Sequence, residues 1–252
     1  MIILKSSREI ELMREAGKRL ANVHRKSREV IKPGMSSFEL DQLIYEFIRE
    51  EGGVPSFLNY QGFPASSCIS LNDTVIHGIP SKDIIFKEGD IVSLDLGLIY
   101  QGYHSDAART LFVGQVDEEK KKLVAVTRES FFKGLEFCRE GYRLSDISHA
   151  IQTYCEGHGY SIVREFTGHG VGKDLHEDPA IPNYGKPGRG PRLSAGMTLA
   201  IEPMVNLGKR DVYMEKDGWT VRTSDGLVSA HYEHTVLITE DEPELLTWGD
   251  EE

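Results

Sequence analysis

The sequence predicts an α+β fold made of two related halves, and three observations carry that prediction. Segments with apolar residues at helical spacing alternate with strand-like apolar runs. One offset of 107 positions carries Gly34 onto Gly141, Gly52 onto Gly159, Gly89 onto Gly196 and Asp95 onto Glu202. The strand-like runs enclose isolated acids, and the offset sets one on corresponding strands of each half. Helices covering one face of a mixed, mostly antiparallel sheet, with a pseudo-twofold between duplicated halves, satisfy all three. The expected organisation is a single domain over 1–252, with an internal repeat of approximately 32–116 and 139–240.

The elements follow in order. Ser6 or Ser7 opens a first helix in which Ile10, Met13, Leu20 and Val23 recur at helical spacing, and Lys32-Pro33-Gly34 stops it. Ser36-x-x-Glu39 is a capping box for a second helix that presents Leu40, Leu43, Ile44 and Phe47 and ends at Gly52-Gly53. Extended segments follow: "SSCISLN", then "DIVSLDLGLIY" and "GYHSDAARTLFV", a hairpin turning near Tyr100 to Gly102. The spacing predicts another helix over 117–139, with Leu123, Thr127, Phe131, Leu135 and Cys138 along one face and Gly141 closing it. "REGYRLSDISHAIQTYCEGHGY" at 139–160 then repeats "KPGMSSFELDQLIYEFIREEGG" at 32–53, and "SAGMTLAIEP" at 194–203 repeats "KEGDIVSLDL" at 87–96.

Composition narrows the function classes. Hydrophobic residues make up 39% and charged residues 27%, the balance of a soluble globular protein. No apolar run approaches the ~18–20 residues of a membrane helix, and "MIILKSSREIELMREAG" lacks a signal-peptide apolar region. A cytoplasmic protein without membrane partners is expected. Cys68, Cys138 and Cys155 are odd in number and scattered, which fits neither a disulfide framework nor a zinc knot. A formal net charge of -11 argues against nucleic acid as a partner. The basic run "KPGRGPR" at 186–192 reads as a solvated loop.

The acids point to chemistry. Asp95 and Asp106 lie on the two arms of the hairpin at odd separation, so a two-residue turn lets both face one side. Glu202 sits in "MTLAIEPMV" and Glu233 in "LVSAHYEHTVLI", both strand-like. An unpaired buried carboxylate costs several kcal/mol, and Lys or Arg is scarce in these strands. A divalent cation, or a pair, resolves the conflict. "TGHGVGKDLHEDP" at 167–179 admits three readings: a phosphate loop, half a zinc site or a surface turn. It lacks the strand–glycine–helix context and final Ser/Thr of a phosphate loop, since Asp174 follows Lys173. Four carboxylates with one imidazole form a hard donor set suited to Mn, Fe, Co or Zn. A metal pair ~3.5–4 Å apart supports hydrolysis.

Five segments carry a resemblance: "NYQGFPASSCISLNDTVIHGIP" at 59–80, "DIVSLDLGLIYQGYHSDAARTLFVG" at 90–114, "TGHGVGKDLHEDP", "GMTLAIEPM" at 196–204 and "DGWTVRTSDGLVSAHYEHTVLIT" at 217–239. Together they resemble the type I methionine aminopeptidases over essentially the whole chain. The resemblance implies the pita-bread fold and a single catalytic domain that removes N-terminal methionine from new polypeptides when the second residue is small. It implies two divalent metal ions, Asp95 binding one, His169 and Glu202 the other, and Asp106 and Glu233 bridging both. Glu202 is the implied proton acceptor. His176 would stabilise oxyanion charge, and His77 would hold the scissile amide nitrogen. Tyr60, Phe63, Cys68, Leu175, Met204 and Trp219 match the positions that line the methionine pocket. Asn72 and Ser229 match positions beside a monovalent cation. The implied partners are N-termini of nascent polypeptides, with transient ribosome contact, and the chain is expected to be a monomer.

The chain departs from the family's bacterial members in four places. Phe57, Leu175 and His231 stand where Cys, Phe and Gln are frequent, and Gly97 replaces a common Thr. These bear on pocket size and on hydrogen bonds around the metal ligands. His231 and His234 match no family ligand position and read as structural, or as supports that orient Glu233. His24, His104, His149 and His158 read as ordinary. Two other functions share the pattern. An Xaa-Pro-directed aminopeptidase or prolidase-like relative has the same ligands but usually an extra N-terminal domain. A non-catalytic pita-bread binding protein would have lost ligands that are all present here. Type II methionine aminopeptidases carry an inserted helical segment for which the stretch between Glu202 and Glu233 has no room.

Overall fold

The computed structural model describes residues 1–249; the last three positions of the expected domain, 250–252, lie outside the described residues. Helices α1 (Ser7–Val30) and α2 (Ser37–Glu50) precede strands β1 (Val54–Pro55), β2 (Ser67–Leu71), β3 (Thr74–Ile76), β4 (Ile91–Tyr100) and β5 (Tyr103–Phe112). Helices α3 (Glu118–Leu135) and α4 (Leu144–Gly157) precede β6 (Ser161–Ile162), β7 (Gly168–Gly170), β8 (Glu177–Ile181), β9 (Thr198–Ile201) and β10 (Met204–Asn206). The chain continues through β11 (Val212–Met214), β12 (Val221–Thr223), β13 (Ser229–His231), β14 (His234–Leu237) and β15 (Glu244–Leu245).

Local signals set the helix ends. Ser6 with Glu9, and Ser36 with Glu39, form reciprocal capping boxes at the starts of α1 and α2. Helix α3 stops at Leu135, four residues short of the expected end. The amides of Phe137 and Cys138 bond back to Gly134 and Leu135, tightening the chain into a turn that still buries Cys138.

The 107-residue offset carries α2 onto α4 and β1 onto β6 without a slip. Gly34 and Gly141 have φ of 88° and 94°, Gly52 and Gly159 of 73° and 84°, and Gly89 and Gly196 of 90° and 91°. Side chains avoid this region, which is why glycine recurs at all six positions. Strand β4 has β9 and β10 as its counterparts, with the second copy interrupted at Glu202-Pro203. Proline has no N–H to continue a ladder.

In the first half β4 pairs with β5 throughout, Gly97 facing Asp106 and Asp95 facing Ala108, while β1 and β2 share its other edge. In the second half β9 and β10 pair with β14 and β13 on one side and with β7 and β6 on the other. Every pairing between named strands is antiparallel, and the expected mixed character survives only as a parallel bridge between Arg139 and Thr239, all among the described residues.

The halves meet edge to edge. Ala108 and Glu233 exchange main-chain hydrogen bonds of 3.3 and 2.9 Å. On one side the Thr110 hydroxyl donates to the His231 carbonyl (2.8 Å) and accepts from its amide (3.0 Å). On the other, the Thr235 hydroxyl does the same with Asp106, at 2.8 and 3.1 Å. The join itself therefore has pseudo-twofold symmetry. Alternation along β4 sends Val92, Leu94, Leu96 and Leu98 into a core with Leu20, Leu40, Ile44 and Ile48 of the helices. Leu199, Ile201 and Val205 do the same against Leu123, Phe131, Ile147 and Ile151. The odd positions of β4, Asp95 and Gly97 among them, face away from the helices. Among the described residues no helix is long and apolar enough to cross a membrane.

Replacing Thr110 by Val keeps the shape but leaves the buried His231 amide without its acceptor. The expected cost is about 1–3 kcal/mol, read by chemical denaturation.

Candidate metal centre

Five segments bring the acids together. Asp106 stands opposite Gly97, so no side chain separates it from Asp95, two residues earlier on the same face of β4. Glu233 arrives between β13 and β14 at the join. Glu202 occupies the interruption between β9 and β10, and His169 lies on β7 opposite Ala200. Ligand atoms of Asp106, His169 and Glu233, all buried, lie within 4.8 Å of one another. His169 Nε2 is 3.6 Å from Asp106 Oδ2 and 3.7 Å from Glu202 Oε1.

Those separations exceed hydrogen-bond lengths. They are not ion pairs either, because burial lowers the His169 pKa to about 3 and leaves the ring neutral. Two ligand atoms each about 2.1 Å from a shared cation fall roughly this far apart. His169 Nδ1 lies 2.8 Å from the Gly170 carbonyl, which assigns it the proton and turns the Nε2 lone pair toward the acids.

The electrostatics demand a cation. Burial pushes Asp106 up to about 7. Asp95 and Glu202 are driven well above their ordinary range by burial and then by neighbouring carboxylates. The same holds for Glu233, where the nearby Arg109 opposes the rise only weakly. Arg109 is spent on the main chain, donating to the Ala108 and Glu233 carbonyls. Asp95 Oδ1 and Asp106 Oδ1 are buried without a hydrogen-bond partner. Stranded acceptors of this kind, four carboxylates and a neutral imidazole fit a divalent cation of the hard or borderline class.

Two more histidines border the centre. The exposed His176 places its ring 4.2 Å from that of His169, and its Nδ1 lies 2.7 Å from the Tyr60 hydroxyl. His77 holds a positive φ of 57° and packs edge-on against Phe166 and Trp219. Burial lowers its pKa to about 4.

Tyr60, Phe63, Cys68, Leu175 and Trp219 form one apolar cluster with Phe57, Ala65 and Ile79. Met204 belongs to a different cluster, with Val75, Ile76, Val163 and Val221. Ala65, Ile79 and Phe166 escaped the sequence reading, since nothing in their spacing marks them. Phe57, read there only as a departure, proves tied to Gly97: a Cβ at Gly97 would come within 2.7 Å of the Phe57 ring and 2.6 Å of Ser56 Cβ. The ring, with Ser56, thus occupies space that a side chain at 97 would need.

The neighbours of Glu233 part company. His234 turns to the helix side, where it meets the Tyr232 and Thr247 hydroxyls at 3.0 and 2.8 Å. His231 turns to the centre, its Nε2 3.5 Å from Glu202 Oε2.

The chain is similar to known proteins over nearly its whole length. A family model, metallopeptidase family M24, matches residues 11–240. A methionine aminopeptidase of Clostridium perfringens is 55% identical over 247 residues, covering 98% of this chain and 99% of that one. The crystal structure of methionine aminopeptidase from Thermotoga maritima matches with a TM-score of 0.97 and 48% identity, over 99% of this chain and 100% of that one. The prolidase from Pyrococcus furiosus is more distant, with a TM-score of 0.79 and 25% identity over 98% of this chain and 66% of that one.

Two outcomes follow from the geometry. Histidines with lowered pKa add stability as pH rises to 6.5, their unfolded value, and nothing beyond it. Carboxylates with raised pKa lose stability as pH climbs from their unfolded values through their folded ones, about 7 for Asp106 and well above the ordinary carboxylate range for the other three. The metal-free protein is therefore expected to melt at progressively lower temperature above pH 6.5, and Mn(II) to cancel the trend; thermal melts at fixed ionic strength check both. Gly97→Ala is expected to cost about 1–3 kcal/mol, and combined with Phe57→Ala to lose less than the sum of the single variants in denaturation.

Proposed function

The chain belongs to metallopeptidase family M24 and removes the N-terminal methionine of polypeptides, and we propose that it does so with two divalent metal ions held by Asp95, Asp106, His169, Glu202 and Glu233. Its fold is the pita-bread α+β fold of that family. The observation that carries the proposal is the buried group of four carboxylates around a neutral imidazole, with two carboxylate oxygens left without partners. In this assignment Asp95 would hold one ion, His169 and Glu202 the other, and Asp106 and Glu233 would serve both. Such a pair, when bound, lowers the pKa of a water and polarises a carbonyl.

The remaining steps fall to the protein's own side chains. Glu202, whose buried carboxylate favours protonation, accepts the proton released as the peptide carbonyl is attacked. The Tyr60 hydroxyl donates to His176 Nδ1, which leaves the proton on Nε2 to stabilise the oxyanion. His77 holds the departing amide nitrogen. The methionine side chain lies among Tyr60, Phe63, Cys68, Leu175 and Trp219, whose apolar walls suit an unbranched thioether. Met204 backs this pocket from the adjoining cluster.

Several finer points belong to the same proposal. Co, Mn, Fe or Zn suits the donor set. Asn72 and Ser229, which a hydrogen bond from the Ser229 amide to the Asn72 carbonyl (2.9 Å) brings together, would flank a monovalent cation. The enzyme acts as a monomeric single catalytic domain in the cytoplasm, on nascent N-termini with a small second residue, during transient contact with the ribosome. An Xaa-Pro-directed activity is disfavoured by the greater distance of the prolidase.

The expected result is release of methionine from Met-Ala-Ser but not from Met-Lys-Ser or Xaa-Pro peptides, with two equivalents of metal bound by calorimetry. Chelation or Asp106→Ala abolishes it, and His176→Ala lowers kcat by about 10²–10³-fold. Methionine release that survives both EDTA and Asp106→Ala would sink the proposal.

A further inference from the structure

His231 is an imidazole at a place where the pseudo-twofold sets a metal-facing carboxylate in the other half. At the join, Thr110 holds His231 as Thr235 holds Asp106, so the two residues occupy equivalent positions. His231 is 1% exposed. Its Nε2 is buried without a hydrogen-bond partner and lies 3.5 Å from Glu202 Oε2. The other oxygen of that carboxylate, Oε1, faces His169 Nε2 at 3.7 Å. Glu202 is therefore flanked by two imidazoles, one toward each oxygen.

The two rings are not equivalent in chemistry. His169 commits Nδ1 to the Gly170 carbonyl, so its Nε2 presents a lone pair. For His231, a proton on Nε2 meets a carboxylate oxygen, whereas a lone pair there would meet another lone pair. A ring that carries its proton on Nε2 is a donor there and not a ligand.

We propose that His231 is a positioning residue whose Nε2–H, aimed at Glu202 Oε2 across 3.5 Å, closes on that oxygen as a donor, so that Glu202 would offer only Oε1 to a metal. Without the donor both oxygens become equivalent, and the carboxylate can rotate to bind through both. At the interruption the Glu202 carbonyl accepts from Asn183 Nδ2 (2.9 Å), which fixes the main chain but leaves the carboxylate free to rotate. Glutamine carries an N–H donor of similar reach, and leucine fills similar space with none.

The inference rests on the metal-centre reading, and one experiment separates the two. Metal-free wild type, His231→Leu, His231→Gln and His231→Asn are titrated with Co(II), reading the dissociation constant by calorimetry and the ligand-field bands by visible absorption. Wild type that fails to take up Co(II) overturns the metal reading itself. Given wild-type binding, His231→Leu is expected to weaken Co(II) by about 10–100-fold and to change band intensity as Glu202 alters its ligation. His231→Gln is expected to keep the wild-type spectrum and affinity. His231→Asn, whose amide is one carbon too short, follows leucine, and it serves if the leucine variant does not fold. On a Glu202→Ala background, His231→Asn has no further effect. A wild-type spectrum and affinity in His231→Leu or His231→Asn overturns the inference, and so does a glutamine variant that behaves like either.

Discussion

Mutual repulsion among four buried carboxylates is the constraint on which the rest of the structure depends. Each acid is raised by burial, Asp95 also by Asp106, Glu202 by Asp95 and Asp106, and Glu233 by all three, with the Arg109 guanidinium acting against the rise at Glu233. Removing any one of them from water is costly, and gathering four compounds the cost. The helix layers answer part of the demand, since they make the backs of the strands apolar enough to hold the front in place. A bound cation answers the rest, and its binding free energy adds directly to folding stability.

The join between the halves does two tasks with few atoms. Its central pair, Ala108 with Glu233, places one ligand by main-chain hydrogen bonds alone. Its flanking threonines place Asp106 and His231. Position is thus set by backbone geometry and does not depend on the charge state of any ligand. Where symmetry breaks, at Glu202-Pro203, the second half gives up ladder hydrogen bonds and admits a ligand that must be held by side chains.

Much of this was legible in the sequence. Capping boxes at Ser36-x-x-Glu39 and the start at Ser6 were local signals, and both formed as expected. The hairpin was legible because a two-residue turn and strict alternation fix register, so Asp95 and Asp106 had to share a face. The end of α3 was not, since apolar spacing continued past the point where the backbone tightened. Long-range side-chain pairing was also hidden. Nothing in the order of residues says that Phe57 fills the space beside Gly97, or that His231 turns to the acids while His234 turns to the helix side. Met204, assigned to the pocket by resemblance, packs in a neighbouring cluster with Val75, Ile76, Val163 and Val221, a pairing that its spacing in the sequence does not announce.

Phe57 bears on how the proposed methionine pocket could be inhibited. With a ring at that position, Cys68 is the one thiol in the apolar cluster. It is buried, and burial together with the nearby Asp95 holds its proton firmly in place. A thiol without thiolate character is a poor nucleophile. Electrophilic compounds that trap a pocket cysteine would find little to react with here, and oxidants would likewise spare the site. Selective ligands for this pocket must rely on shape and on stacking against Phe57, Phe63 and Trp219.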